Sequence, residues 1–188
     1  MIATSDFRKG AKILFRGEPF QVLDYQHVKP GKGGAFVRTK MKNLLTGLIH
    51  EETFRSGEKF EEPDLEYRDM QYLYEEDGFY HFMDQESYDQ VSFNKKQISD
   101  ILSYLKEQSV YTMLYFEGKP ISVTPPMHMF LKVIETTPGV KGDTAQGAGS
   151  KPAKLETGVT VQVPLFVQEG DTLKIDTREG IYIERVLQ

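Results

Sequence analysis

Cysteine is absent from all 188 residues. That removes disulfides, thiolate catalysis and cysteine-bound zinc together, and it fits a reducing cytoplasm. The opening Met1-Ile2-Ala3-Thr4-Ser5-Asp6 lacks the basic segment and apolar run of a signal peptide. No stretch approaches the ~18 apolar residues of a membrane span, so no membrane partner is expected. Catalytic motifs are missing as well. Gly31-Lys32 is followed by Gly33 where a P-loop requires Ser or Thr, and Gly31-x-Gly33 is followed by Phe36 where a dinucleotide fingerprint needs its last Gly. His50-Glu51-Glu52-Thr53-Phe54 lacks the second His of a zincin, and no G-x-S-x-G occurs. The four histidines, His27, His50, His81 and His128, are scattered, and no metal or cofactor is expected. The acidic runs Glu61-Glu62 and Glu75-Glu76-Asp77 sit in turn-like polar contexts and read as solvated faces. Catalytic carboxylate pairs form in space rather than along the chain, so their absence is not legible here.

A strong excess of positive charge is also missing, since the net charge is −5. Its distribution matters more than its sum. Residues 1–63 hold 11 basic and 8 acidic side chains, residues 64–127 hold 5 and 12, and residues 128–188 hold 7 and 8. An acidic middle is repelled by open duplex, so DNA is not expected as a partner. A nucleic acid touched at a few chosen points by the positive first segment is compatible with these counts.

What the chain does have is short strand-like runs broken by turn signals. Residues 11–15, 20–25, 35–42 and 48–54 read as strands, with turns at Arg16-Gly17-Glu18-Pro19 and Thr46-Gly47. The polar, Pro-ended stretch 56–64 marks a boundary. Residues 68–74 and 79–83 flank Asp77-Gly78, a hairpin signal. Ile98, Ile101, Leu102 and Leu105 fall at helical spacing and predict a short packing helix over 95–106. Strands resume at 110–116 and 121–123, and Thr124-Pro125-Pro126 ends that ladder. The third segment offers strands at 130–135, 159–163, 165–167, 172–176 and 180–186, with a long irregular stretch over 138–152 that is either functional or disordered. Tyr72, Tyr74, Phe79, Tyr80 and Phe82 are of a type that stacks on bases, but their alternation assigns at least half to a core. The pattern predicts an all-β chain of three small barrels, over 1–63, 64–127 and 128–188. Each lies near the lower size limit for stable folding.

The stretch around which the chain is organised is Lys29-Pro30-Gly31-Lys32-Gly33-Gly34, set between two strands as the exposed tip of a hairpin. Pro30 stiffens the entry, and the glycines let another molecule approach the backbone. An ordinary solvated turn and a probe carrying one amine into a phosphate-lined place are both consistent with this composition.

These motifs carry a resemblance. The chain resembles bacterial elongation factor P, of the same superfamily as the hypusine-containing factor of eukaryotes and archaea, along its whole length. The resemblance lies in Val28-Lys29-Pro30-Gly31-Lys32-Gly33 with Ala35-Phe36, Leu44-Leu45-Thr46-Gly47, Ile121-Ser122-Val123-Thr124-Pro125-Pro126, Pro138-Gly139-Val140-Lys141-Gly142-Asp143-Thr144-Ala145, Lys151-Pro152-Ala153, Val163-Pro164-Leu165-Phe166-Val167 and Tyr182-Ile183-Glu184-Arg185-Val186. It implies an SH3-like, KOW-type barrel followed by two OB-fold barrels, in an L-shaped outline like that of tRNA. It also implies a cytoplasmic, monomeric elongation factor that is no enzyme. Such a factor binds the 70S ribosome between the peptidyl-tRNA and exit sites and relieves stalling at consecutive prolines.

On that resemblance Lys32 reaches toward the CCA end of the peptidyl-tRNA and is extended by a lysine-modifying enzyme. The tip from Lys29 through Pro30, Gly31, Lys32 and Gly33 to Gly34 contacts the CCA end. Gly142, Asp143 and Thr144 form the third-domain loop that meets the small subunit, and Tyr182 and Arg185 are candidate RNA contacts. Relatives with arginine at the tip carry rhamnose, a chemistry that Lys32 excludes. The alternatives are an elongation-factor-P-like paralogue and a general OB-type RNA binder or chaperone.

Overall fold

The computed structural model describes residues 1–31, 33–138 and 149–186. The described backbone is all-β, as the turn-punctuated pattern predicts, apart from two single 3-10 turns at Thr4–Asp6 and Leu102–Tyr104. The chain forms two compact units. One comprises Met1–Tyr67 with Met113–Ser122, and the other Arg68–Thr112 with Val123–Gln188.

The first unit contains β1 (Ile2–Ala3), β2 (Lys12–Phe15), β3 (Glu18–Val28), β4 (Phe36–Asn43), β5 (Ile49–Arg55) and β6 (Lys59–Phe60). The main sheet runs β2-β3-β4-β5, and β1 pairs with β6. The turn expected over four residues narrows to Arg16 and Gly17, with φ of 54° and 80°. Two residues at positive φ match the twist of a tight hairpin, which frees Glu18 and Pro19 to enter β3. Alternation along β4 sends Val37, Thr39, Met41 and Asn43 inward and Arg38, Lys40 and Lys42 outward. Val37 and Met41 of this inward set pack with Phe7, Ile13, Phe20, Val22, Phe54 and Phe60. Phe54 meets Phe60 at 4.7 Å and Phe15 at 5.4 Å, both edge-on. Such edge contacts add about 1 kcal/mol each beyond area burial. The core therefore lies under the β3–β4 hairpin and makes it a stiff arm.

A five-stranded sheet is built from β7 (Leu65–Glu76), β8 (Phe79–Asp84), β9 (Gln90–Asn94), β10 (Val110–Phe116) and β11 (Lys119–Thr124), in the order β11-β10-β7-β8-β9. Of the five aromatics singled out above, Tyr72 and Phe82 are buried, Tyr80 is half-buried, and Tyr74 and Phe79 are exposed. The helix expected over 95–106 does not form. Gln97, Ile101, Tyr104 and Leu105 each donate to the carbonyl three residues back, and Asn94 Oδ1 accepts from Lys96 and Gln97 at the start. A series of three-residue turns therefore buries Ile98 and Ile101 in place of an α-helix.

The second unit holds a further sheet of β12 (His128–Thr136), β13 (Ser150–Leu155), β14 (Thr160–Pro164), β15 (Thr172–Asp176) and β16 (Ile181–Val186), in the order β14-β13-β12-β15-β16. β14 and β16, the ends of this order, approach each other. β13 arises inside the stretch read as irregular. It accommodates Pro152 because β12 stops opposite Ala153, leaving Pro152 paired only with Gln162. Residues 165–167, expected as a strand, instead turn, with Val167 N–H donating to the Pro164 carbonyl at 3.1 Å. Leu173 and Ile175 are fully buried as their alternation predicts. A register shift opposite Ile183 breaks the alternation of β16 and leaves Ile181 and Ile183 outside.

Two aspartates organise turns in this unit. Asp84 is held below the usual carboxylate range by the backbone N–H of Glu86 and then that of Ser87. Asp176 is lowered first by the Arg178 N–H, and further by the Glu179 N–H and the Arg178 guanidinium. A carboxyl lowered on folding stabilises the fold above its unfolded pKa of about 4. That contribution disappears as pH falls through the lower, folded value. The double variant Asp84→Asn, Asp176→Asn is therefore expected to flatten the fall of the urea midpoint below about pH 4, and an unchanged slope refutes this.

Candidate functional site

β3 and β4 pair from Phe20 opposite Asn43 to Val28 opposite Phe36, interrupted by one bulge between Val22 and Asp24. The turn signals of the sequence thus end up at the far end of an arm that is itself anchored in the core. Lys29, Pro30, Gly31, Gly33 and Gly34 are exposed there together. Gly33 has φ of +113°, in the region that favours glycine. A Cβ on Gly31 or Gly34 would meet nothing within 4 Å, and one on Gly33 would meet only Pro30 Cγ at 3.8 Å. The tip is open on every side that these residues sample. Lys32 lies outside the described residues, as do Gly142, Asp143 and Thr144.

Tyr182 and Arg185 belong to β16, in the other unit. Tyr182 stands opposite Ile175 and is half-buried. The Arg185 guanidinium faces Asp171 Oδ2 at 3.5 Å and covers the Phe166 ring at 5.1 Å. It is therefore partly spent on local contacts.

Below the tip, register stacks the outward side chains of β3, β4 and β5 into rows. Nearest the tip is Val28–Phe36–Arg55, then Gln26–Arg38–Thr53, then Asp24–Lys40–Glu51. The second and third rows line a hollow of about 500 Å³. The Arg38 guanidinium lies 5.7 Å from the Phe36 ring, a cation–π distance that orients its fork. Arg38 thus stands between the neutral Gln26 and Thr53, and Arg55 opposite Phe36 with the Glu58 carboxylate accepting from its backbone N–H at 3.0 Å, whereas Lys40 stands between two carboxylates. Asp24 is additionally paired with Lys9 at 3.2 Å. Arg55 and the arrangement around Arg38 were not singled out by the sequence reading. The signal was present in the alternation Phe36-Val37-Arg38-Thr39-Lys40-Met41-Lys42, which puts the cations on one face. Among the described residues no three His, Asp or Glu side chains are grouped to hold a metal ion. Among the described residues no helix is long and apolar enough to cross a membrane.

Comparison with known proteins matches three family descriptions in succession. These are the elongation factor P KOW-like domain over residues 3–60, the elongation factor P OB domain over 65–123, and the elongation factor P C-terminal region over 129–185. With the strand pattern they identify the fold class as KOW-like and OB-type β-barrels in series. Curated relatives agree over the full length. Elongation factor P of Thermodesulfovibrio yellowstonii is 53% identical over 99% of both chains. That of Pelotomaculum thermopropionicum is 55% identical over 99% of this chain and 100% of its own. A solved structure, eukaryotic translation initiation factor 5A from Methanococcus jannaschii, superposes with a TM-score of 0.54 at 20% identity. It covers 66% of this chain and 93% of that one, a likeness of fold.

Proposed function

Because the chain belongs to the elongation factor P family of translation factors, we propose that it binds the 70S ribosome between the peptidyl-tRNA and exit sites and stimulates peptide-bond formation at consecutive prolines. The observation that carries this reading is the open Pro/Gly tip on a stiff β3–β4 arm. A tip without packed side chains enters crowded RNA, and an arm rooted in a core holds its position once there. Holding the CCA end and the nascent chain in reactive geometry lowers the entropic part of the barrier. On this reading the factor supplies no catalytic group and is not itself an enzyme.

Three domains over 1–63, 64–127 and 128–188 follow from the same reading. Lys32 is the residue that reaches the CCA end and the target of a lysine-modifying enzyme. Gly142, Asp143 and Thr144 approach the small subunit, and Tyr182 and Arg185 are RNA contacts of lesser weight. The factor acts as a cytoplasmic monomer. The test is a purified translation system lacking the factor and reading a Pro-Pro-Pro message. Adding protein isolated from its native cell is expected to restore full-length product, while a message without the proline run is unaffected. Equal yield with and without the protein overturns the reading.

A further inference from the structure

We propose that the outer face of β7, β8 and β9 docks a basic protein segment, whose lysine or arginine lies across the rings of Tyr74 and Phe79 beside the Glu76 carboxylate. Of the aromatics that the sequence groups here, Tyr72 and Phe82 are spent in the core, whereas Tyr74 and Phe79 are 43% and 49% exposed. Pairing stacks the outward side chains into three rows. Nearest the turn is Glu76–Phe79–Asn94, then Tyr74–His81–Ser92, then Gln71–Met83–Gln90. The Tyr74 and His81 rings lie 4.8 Å apart at 31°, and His81 Nδ1 meets Ser92 Oγ at 2.9 Å. The imidazole, itself tied to Ser92, thus backs the Tyr74 ring and holds it as a plate. Phe79 stands directly opposite Glu76, and Tyr74 is two residues back along β7, about 7 Å away. Two exposed rings and one carboxylate therefore share a patch one row wide. This face stands apart from the stall-relief reading, since none of its residues belongs to the tip or to the contacts proposed above.

Charge selects the occupant. The three rows contain no lysine or arginine. Glu75, Glu76 and Asp77 follow Tyr74 directly, and Lys95 and Lys96 lie beyond Asn94 at the far side of the patch. Residues 64–127 as a whole carry 12 acidic and 5 basic side chains. An unpaired nucleic acid stacking on these rings would need cations beside them for its phosphates, and it meets carboxylates instead. A cationic side chain gains on both counts. Ring faces attract it through their quadrupole. Glu76 is not spent on an ion pair among the described residues, whereas Glu75 Oε1 accepts from the Gly78 N–H at 3.0 Å and closes the turn. The patch spans two rows of three strands, about 7 Å by 10 Å, which suits a short segment bringing one or two basic side chains.

The test uses the full chain, isotope-labelled and titrated with a short peptide of alternating arginine and glycine. The same peptide with glutamine for arginine, and a short single-stranded RNA, serve as comparisons. Amide shifts from the arginine peptide are expected at Tyr74, Glu76, Phe79 and His81, and neither comparison is expected to produce them. The double variant Tyr74→Ala, Phe79→Ala is expected to weaken binding about fivefold or more, while Tyr74→Phe, which keeps the ring, stays within about twofold of the parent. Glu76→Gln is expected to weaken binding about threefold. Glu61→Gln with Glu62→Gln removes two charges elsewhere and is expected to stay within about twofold. Circular dichroism and thermal melting check that each variant is folded. Parent-like affinity of the folded Tyr74→Ala, Phe79→Ala variant overturns the proposal. An equal loss in the Glu61→Gln, Glu62→Gln variant also overturns it, because binding then follows net charge alone. RNA that shifts the same amides as strongly as the arginine peptide overturns the choice of occupant. Self-association of the parent that Tyr74→Ala abolishes does so too, since a second copy of the chain then covers the face.

Discussion

Lys32→Ala is expected to reduce synthesis through Pro-Pro-Pro to the level without any factor, while the variant melts within about 0.5 kcal/mol of the parent. The stability half of the prediction follows from the neighbours. Gly31, Gly33 and Gly34 are exposed, and a Cβ on Gly31 or Gly34 would meet nothing within 4 Å, so a substitution between them is expected to leave the core intact. The functional half follows from composition. Between Pro30 and Phe36, Lys32 supplies the only charged group, and four of the other residues are glycine or alanine. Proline's ring locks φ and constrains the nascent chain, and its secondary amine is a slow attacker, so the stalled step is limited by geometry. On the proposed reading, removing the amine removes the group that reaches the reacting end. Lys32→Arg separates charge from the proposed modification, because it keeps the cation but would offer a lysine-modifying enzyme no primary amine. Arginine is expected to restore only part of the activity when the parent is isolated modified. Alanine working as well as the parent sinks the assignment of Lys32 outright.

The hairpin was legible because its information is local. Lys, Pro and Gly over residues 29–34 exclude strand, and alternating residues on either side demand it. The hollow was less legible because it depends on register across three strands. Gln26, Arg38 and Thr53 are far apart in sequence and become one row only through pairing. The segment 95–106 misled for a different reason. Ile98 and Ile101 lie three residues apart, a spacing that serves successive 3-10 turns as well as an α-helix. The hydrogen bonds from Asn94 onward choose the turns. β13 was hidden by Pro152, which reads as a strand breaker until the end of β12 shows which side of it is unpaired. The resemblance compensated for such gaps because it rests on ordered motifs along the whole chain.

Tyr111→Phe is expected to be the most damaging single-atom deletion in the second unit, costing about 3 kcal/mol. Tyr111 is fully buried. Its hydroxyl donates to the Tyr104 carbonyl at 2.6 Å and accepts from the Lys106 N–H at 2.9 Å. Burial pushes the phenol's pKa up to about 12, so it stays protonated and able to play both parts. Phenylalanine fills the same space and takes the partner from two backbone groups in a half-buried turn, each loss costing on the order of 1–3 kcal/mol. The loss spreads through Lys106. Its Nζ donates to Glu156 Oε1 and to the Phe130 carbonyl, both at 2.9 Å, tying the turn segment to the sheet of β12 to β16. Burial opposes ionisation of Glu156, but hydrogen bonds from Lys106 and the Lys132 N–H outweigh it and hold its pKa below the usual range. Once Lys106 loses its backbone anchor, the pair loses the geometry that makes it worth more than a surface ion pair. Urea denaturation followed by tyrosine fluorescence is expected to show an earlier midpoint. Amide exchange is expected to rise first over 101–111. A midpoint equal to the parent's, with unchanged exchange at Lys106, refutes the account and requires that some other group satisfies Tyr104 and Lys106.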